Sequence, residues 1–486
     1  MAIKGLQSHY EENKKKFQVL SEKDCETIIN ASFSILEKTG IILKDAEAVQ
    51  LLVDNGASAE GELVKIPKEL LINSINSAAS ELVLYDRLGN KRIVASGTNT
   101  YFGLGPTNPY TNDVETGEIR SSLRADVTRS ATVADACPNI DFVMGLSQIS
   151  DCNVNISDIY EGYEMLTNTI KPAIIWGINS DNLDVQVQMA DTIAGGHDKL
   201  VEKPFIALFP GCPVTPLIID SKTFQMIKYA ALSGLPQIFM SGVQLGTTSP
   251  VTIPGAVANN LAELLTGLTL AQLTRPGCAM ACGTVVLTVD MATTHSAYGS
   301  PEHCLGEAIN ADIFHYLNLP TMQTSATDAK IVDEQAAWET AMAVITNVLS
   351  GGHMVHDVGF ISGAMSGSLE EIVLTDEIIG YARRIERGIS INEETLALEE
   401  INEVGPGGEF LTSEHTMEHF REETWFPSLT NREVYNKWST HKTDMRTAIH
   451  EKTLKILKEH KTPALSESVL ATLNDILETA EKNNPL

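Results

Sequence analysis

The sequence predicts an α/β chain organised as a (β/α)8 TIM barrel, and three observations predict it. Between residues 98 and 390, short apolar runs ending in Gly, Ser, Asn, Asp or Pro alternate eight times with helical patterns. The runs are continuously apolar rather than alternating, as suits strands buried on both faces of a parallel sheet. Several are entered through a proline (Pro172, Pro204, Pro236, Pro320), which stops the preceding helix without interrupting the strand. Eight regular units suit a barrel of roughly 250 residues. A doubly wound open sheet rarely needs eight, and it would want a phosphate-binding glycine turn after its first strand.

Taken in order, residues 1–97 form an N-terminal extension. It reads as helices over 21–38, 45–55 and 67–79, then a hairpin of 82–86 and 91–95 about Leu88-Gly89-Asn90. The extension is expected to cap the barrel's N-terminal side or lie along its flank. The barrel, 98–390, has strands at 100–105, 140–148, 173–179, 205–211, 237–242, 280–290, 321–326 and 354–362. Helices fall at 124–136, 157–170, 182–195, 220–234, 257–275, 301–318, 333–351 and 368–388. The tail, 391–486, is mainly helical, with a loop at Val404-Gly405-Pro406-Gly407-Gly408 and an amphipathic stretch at 440–460.

Composition narrows the function. Against 35 basic side chains stand 63 acidic ones, a formal charge of −28, and nearly all the excess acid lies within 101–429. Such a body repels phosphate backbones, which excludes nucleic acid as the main partner. The opening MAIKGLQSHYEENKKK has no apolar segment behind its charges and reads as no export signal. The most apolar stretch, 255–274, is interrupted by Asn259, Asn260, Glu263 and Gln272, so it reads as a buried helix and not a membrane span. Seven cysteines in a long acidic chain suit reduced thiols. A soluble cytoplasmic protein is expected.

In a barrel the chemistry sits at the C-terminal ends of the strands. Those ends carry Tyr101, Phe102 and Asn108, then Gln148, Ser150 and Asp151. Trp176, Asn179, Phe209 and Cys212 follow, and after them Ser241, Gln244, Asp290 and Thr293. The last two strands bring Thr324, Ser325, Asp328, His356, Asp357 and Phe360. Acids, amides and aromatics dominate there while Lys and Arg are scarce, a balance that suits a cationic ligand. For any single aromatic, plugging the barrel core is the plainer reading.

Other motifs carry little. His415-Thr416-Met417-Glu418-His419 fits a zinc-protease pattern, yet it lies in the tail with no third ligand placed. Cys278 and Cys282 lack a second pair and read as buried thiols. Gly103-x-Gly105 lacks the third glycine of a dinucleotide fingerprint, and no Lys-Ser/Thr follows Gly405-Pro406-Gly407-Gly408. No metal site is expected.

The stretch Thr327-Asp328-Ala329-Lys330-(x2)-Asp333-x-Gln335-(x3)-Glu339 is more informative. As structure it is the start of a helix, with Asp328 expected to cap it and Asp333, Gln335 and Glu339 to fix the loop. Trp338 is expected to pack. With Gly246-(x3)-Pro250-Val251-Thr252, Glu263-Leu264-Leu265, Asp290-Met291, Gly299-x-Pro301-Glu302, Val404-Gly405-Pro406-Gly407-Gly408 and His415-Thr416-(x2)-His419 followed by Arg421, it resembles the trimethylamine methyltransferase superfamily. That resemblance implies a (β/α)8 barrel and a corrinoid-dependent methyl transfer. Family archetypes insert pyrrolysine just before the T-D-A-K stretch. This chain reads Thr324-Ser325-Ala326 there, so it resembles the non-pyrrolysine branch, associated with quaternary amines such as glycine betaine, proline betaine, carnitine or γ-butyrobetaine.

On that resemblance, the methyl group of a quaternary amine, glycine betaine first, would pass to the Co(I) of a separate corrinoid (cobalamin) carrier protein, and no cofactor is tightly bound. The aromatic cage for the cation is expected at Tyr101, Phe102, Trp176, Phe209 and Phe360. His356 and Gln148 are candidates for the substrate's carboxylate end, with Ser325, Asp328 and Asp357 in support. A homo-oligomer is implied. The alternatives are another methylated amine or methyl donor, or a non-catalytic betaine-binding protein.

Overall fold

The computed structural model describes residues 3–10 and 15–485. Parallel strands form the centre of a mixed α/β fold. They are numbered here β1 (Tyr101–Leu104), β2 (Ala173–Trp176), β3 (Ile206–Phe209), β4 (Gln237–Gln244), β5 (Met280–Val289), β6 (Met322–Thr324) and β7 (Met354–Val358). Strands β2 to β5 pair in order in one sheet, a half-barrel, and β6, β7 and β1 pair in another. Isolated parallel bridges run between them, Cys282 to Thr321 on one side, and Gly103 to Phe142 and Val143 to Ala173 on the other.

The expected strand at 140–148 is reduced to isolated bridges, those last two and one from Asn108 to Ser147. Its Asp141 carboxylate accepts the Phe102 N–H (2.8 Å), and Leu146 turns left-handed (φ 63°). Both features take the chain out of extended ladder geometry. Gly103 opposite it is a close approach, since a Cβ there would sit 2.2 Å from the Phe142 ring.

The helices that follow the strands are α1 (Arg124–Ala136), α2 (Ser157–Asn168), α3 (Ser180–Ala194), α4 (Ser221–Ser233), α5 (Ile253–Thr274), α6 (Pro301–Tyr316), α7 (Glu334–Ser350) and α8 (Leu369–Arg387). Asp220, Ser300, Asp333 and Ser368 cap four of them by accepting backbone N–H groups. The cap of α7 is therefore Asp333, not Asp328 as the sequence suggested. Trp338 on α7 is 68 % exposed, against the expectation that it packs.

The extension lies along a flank. Helices Glu22–Lys38 and Lys68–Ser77 cover α5, which is buried on nearly every side. Strand Ile41–Leu43 pairs in parallel with Ile218–Ile219, so the extension is hydrogen-bonded into the loop that follows β3. The expected hairpin forms from Leu82–Tyr85 and Lys91–Ala95. At the opposite flank, helix Met445–Glu459 packs on α8 and α1, and Glu467–Asn483 packs on α3. A small sheet of Phe360–Ile361, Ser366–Ser368, Tyr110–Asn112 and Ile119–Ser121, of which the sequence suggested only the first as strand and as part of the one before it, lies beyond the C-terminal ends of β1 and β7.

Glu377 on α8 fastens the tail. Its carboxylate accepts the backbone N–H groups of Ser428, Leu429 and Thr430 and the Ser428 hydroxyl. Burial pushes this carboxyl up, but those donors outweigh it and hold the group below the ordinary glutamate value. Its contribution to stability is thus present above the unfolded pKa and fades as pH falls through the lower folded value. Glu377→Ala should cost about 2–3 kcal/mol, because charge-assisted bonds to buried donors are lost. Denaturant unfolding checks this, together with faster proteolysis between residues 424 and 434.

Candidate functional site

At the C-terminal ends of the strands lies a cavity of about 450 Å³. Phe209, Met240, Tyr298 and Phe360 line it with apolar surface, and Asn108, Ser241, Gln244, His356 and Asp357 with polar groups. No lysine or arginine is among its lining residues. Asp357 supplies a carboxylate, and its Oδ1 lies 2.6 Å from His356 Nδ1.

Strand β7 places this pair by breaking regularity. Asp357 adopts a left-handed backbone (φ 70°), which few residues other than glycine take without cost, and Gly359 follows at φ 93°. The turn swings Asp357 and Phe360 over Gly105, where a Cβ would come within 2.3 Å of the carboxylate and 2.4 Å of the ring. Gly103-x-Gly105 therefore serves close packing: one glycine admits Phe142 and the other the cavity wall.

Tyr298 is positioned from behind. The Asp328 carboxylate accepts the N–H groups of Tyr298 (3.0 Å) and Gly299 (2.8 Å). Glu339 in turn accepts the Thr327 hydroxyl and the Asp328 N–H, and Gln335 donates to it. Gly299 must lack a side chain because a Cβ would strike Glu339 at 2.2 Å. The T-D-A-K and D-x-Q stretches and Gly299-x-Pro301 are thus one hydrogen-bonded knot that orders the loop carrying Tyr298.

Two further carboxyls sit behind the wall. Glu263 of α5 accepts the Leu217 N–H (2.7 Å) and the Ser241 hydroxyl (2.5 Å). Burial, opposed by those bonds, pushes its carboxyl up to about 7. Glu307 of α6 accepts the Thr324 N–H and hydroxyl, and burial outweighs those bonds and pushes its carboxyl well above the usual glutamate range. His303 Nε2 meets the same hydroxyl at 3.0 Å, and burial lowers that imidazole to about 4, so it is neutral at pH 7.

Of the residues singled out in the sequence, Phe209, His356, Asp357 and Phe360 meet in the cavity. Tyr101 does not. It opens β1 opposite Met354, at the N-terminal end of the strands, near Asp141 and Arg383. Phe102 is fully buried in the hydrophobic core. Trp176 lies against Glu161, and Gln148 joins Asn108 through its backbone; neither lines the cavity. The reasons differ: Tyr101 stands at the wrong end of its strand, Phe102 and Trp176 show the face of their strands that is packed away from the cavity, and Gln148 lies where no regular strand forms. Ser325 donates its N–H to the His356 carbonyl (2.9 Å), and its hydroxyl is buried without a partner. Asp328 acts through Tyr298 and faces a neighbouring cavity with Lys330. Sequence reasoning missed Tyr298 and Met240; the glycine beside Tyr298 was its only signal.

The profile of the trimethylamine methyltransferase family matches residues 2–485. This chain belongs to the trimethylamine methyltransferase family. It is 28% identical over 470 residues to a trimethylamine methyltransferase MttB of Desulfitobacterium hafniense (strain DSM 10664 / DCB-2), covering 95% of this chain and 93% of that one. It is equally 28% identical over 461 residues to a glycine betaine methyltransferase of Desulfitobacterium hafniense (strain Y51), covering 94% and 96%. The solved monomethylamine methyltransferase (MtmB) of Methanosarcina barkeri superposes with a TM-score of 0.54 at 13% identity, over 94% of this chain and 93% of that one. That likeness speaks to fold alone. Family membership makes this chain a methyltransferase of the methylamine class.

Cys212 offers a direct probe of the cavity. It lines the cavity and is exposed, whereas the other six free cysteines are buried or partly so. Although its surface is open to the cavity, the protein packed densely around it, with Glu263 and Asp357 nearby, pushes its thiol up to about 12, so it stays protonated at neutral pH. A small uncharged thiol reagent should label Cys212 before the others, but slowly. Peptide mass spectrometry over time checks both the site and the rate.

Proposed function

We propose that this protein removes a methyl group from a quaternary amine, with the two sheets and their bridges forming one closed (β/α)8 barrel around the reaction. The observation that carries the reading is the cavity itself: Phe209, Tyr298 and Phe360 with one carboxylate, Asp357, and no lysine or arginine. Aromatic rings attract a cation by about 0.5–2 kcal/mol each, and they offer a neutral amine much less. A quaternary nitrogen already carries the charge that makes a tertiary amine a good leaving group, so no proton need be delivered. His356, Gln244 and Asn108 provide hydrogen-bonding groups for the far end of the substrate, its carboxylate in a betaine.

The methyl acceptor is a corrinoid held by a separate carrier protein. The mouth of the cavity suits such a visitor. Exposed Val214, Val251, Met291 and Met365 stand on loops that follow β3, β4, β5 and β7, an apolar rim for a broad flat ring. When bound, the corrinoid supplies the strong two-electron nucleophile. The chain's own residues hold the cation deep and exclude water, so that one methyl points outward along the line of attack. When the C–N bond breaks, its electron pair stays on nitrogen. The neutral tertiary amine then loses its attraction to the rings and to Asp357, and it leaves.

The test is an anaerobic spectrum of a Co(I)-loaded carrier mixed with this protein and one candidate amine at a time. Loss of the Co(I) band with a betaine, accompanied by one equivalent of the demethylated amine and absent with trimethylamine, is expected. No reaction with any quaternary amine would sink the reading. Phe360→Leu should weaken binding of the reacting betaine about 2–30-fold, while an uncharged tert-butyl isostere loses far less. Competition measurements at equilibrium compare the two.

A further inference from the structure

The cavity's wall is backed by an ionisable acid that its surface does not show. Glu263 is fully buried on α5, one side chain behind the cavity, and no lysine or arginine bridges to it among the described residues. One of its oxygens accepts the Leu217 N–H, in the loop that carries Cys212 and Thr215 to the cavity. The other meets the hydroxyl of Ser241, which itself lines the cavity. The carboxyl thus touches two parts of the wall and nothing that would neutralise it. Cys212, in that same loop, is pushed up first by burial, and the nearby Glu263 and Asp357 carboxyls add to it.

We propose that Glu263 is a remote counter-charge for the cavity, losing its proton when a quaternary ammonium ion enters, so that cation binding and proton release are coupled. This rests on the cation reading of the cavity given above. With the cavity free of cation, the neutral acid donates through Oε2 to the Ser241 oxygen. With a cation present, the carboxylate accepts the Ser241 hydroxyl instead, and the proton departs to solvent. The cation itself is unchanged, so charge and protons balance.

Burial sets the acid near pH 7 in the absence of ligand, within reach of such a switch. The groups facing it are few. Cys212 approaches from the β3 loop, and β7 brings His356 and Asp357 to the cavity. Helix α6, packed against α5, turns His303 and Glu307 to Thr324 instead. No charged group of the extension helices enters the electrostatics of Glu263. A cation stabilises the ionised form, so affinity rises as pH increases through 7.

Calorimetric titration of the full-length protein with tetramethylammonium, in two buffers of different ionisation enthalpy, reads both quantities. From pH 6 to 8.5 affinity should rise about tenfold, with release of about half a proton per cation near pH 7. Glu263→Gln should flatten the rise and abolish the release. Ser241→Ala removes a bond that favours the carboxylate and should move the step to higher pH. His356→Gln should leave the step in place. A step that survives in Glu263→Gln, or vanishes in His356→Gln, assigns it to the imidazole and overturns the proposal. Cation binding with no pH dependence also overturns it while leaving the methyl-transfer reading intact. No cation binding at any pH overturns both.

Discussion

A parallel sheet curved upon itself has no face to leave in water, and this requirement governs the molecule. The strands from β1 to β7 are largely buried on both faces, so each needs a covering layer. The following helices supply most of it, but β4 and β5 are long and α5 behind them is apolar almost all round. Leu261, Leu264, Leu265 and Leu268 of α5 lie buried in a core that the extension's helices help to build. Burying apolar area contributes about 25 cal/mol per Å², so leaving that surface open would be costly. The N-terminal helices close one side, and the C-terminal helices close the other over α1, α3 and α8.

The same constraint explains why the site can hold acids so close together. Carboxyls at Glu263 and Glu307 lie where water does not reach, and each is stabilised by backbone and hydroxyl donors instead of by a base. In such surroundings a carboxyl keeps its proton unless a positive charge arrives. A lysine or arginine in the wall would have satisfied them permanently and repelled a cationic substrate. The acidity seen in the composition is mostly solvent-facing, but these few buried groups give it local consequence.

How much of this was legible in the sequence depends on what each residue signalled. Alternation of apolar runs and helices, with prolines at the entries, located seven strands and eight helices because both patterns are local. The second strand was not legible. Its failure comes from Asp141 taking the Phe102 N–H and from the left-handed Leu146, neither of which leaves a local trace. Phe209, His356, Asp357 and Phe360 come together at the cavity because they lie at or near the C-terminal ends of β3 and β7. Tyr101 and Phe102 lie away from the cavity because they open the first strand, Tyr101–Leu104, and so sit far from its C-terminal end. Asp328 was recognised as fixed structure, but its partner, Tyr298, lies thirty residues earlier on a loop that only the fold brings near.

The parallel pairing of Ile41–Leu43 with Ile218–Ile219 gives the extension a second part to play. The loop after β3 bears Cys212 and Thr215 on the cavity side, is held in its middle by Glu263 at Leu217, and ends stitched to the extension's own sheet. The extension therefore acts as a strut as well as a lid. A load applied at the far flank, some two hundred residues away in sequence, is carried by main-chain hydrogen bonds straight to the wall that touches the ligand. The surface that keeps water off α5 and the framework that fixes the width of the cavity are the same piece of chain.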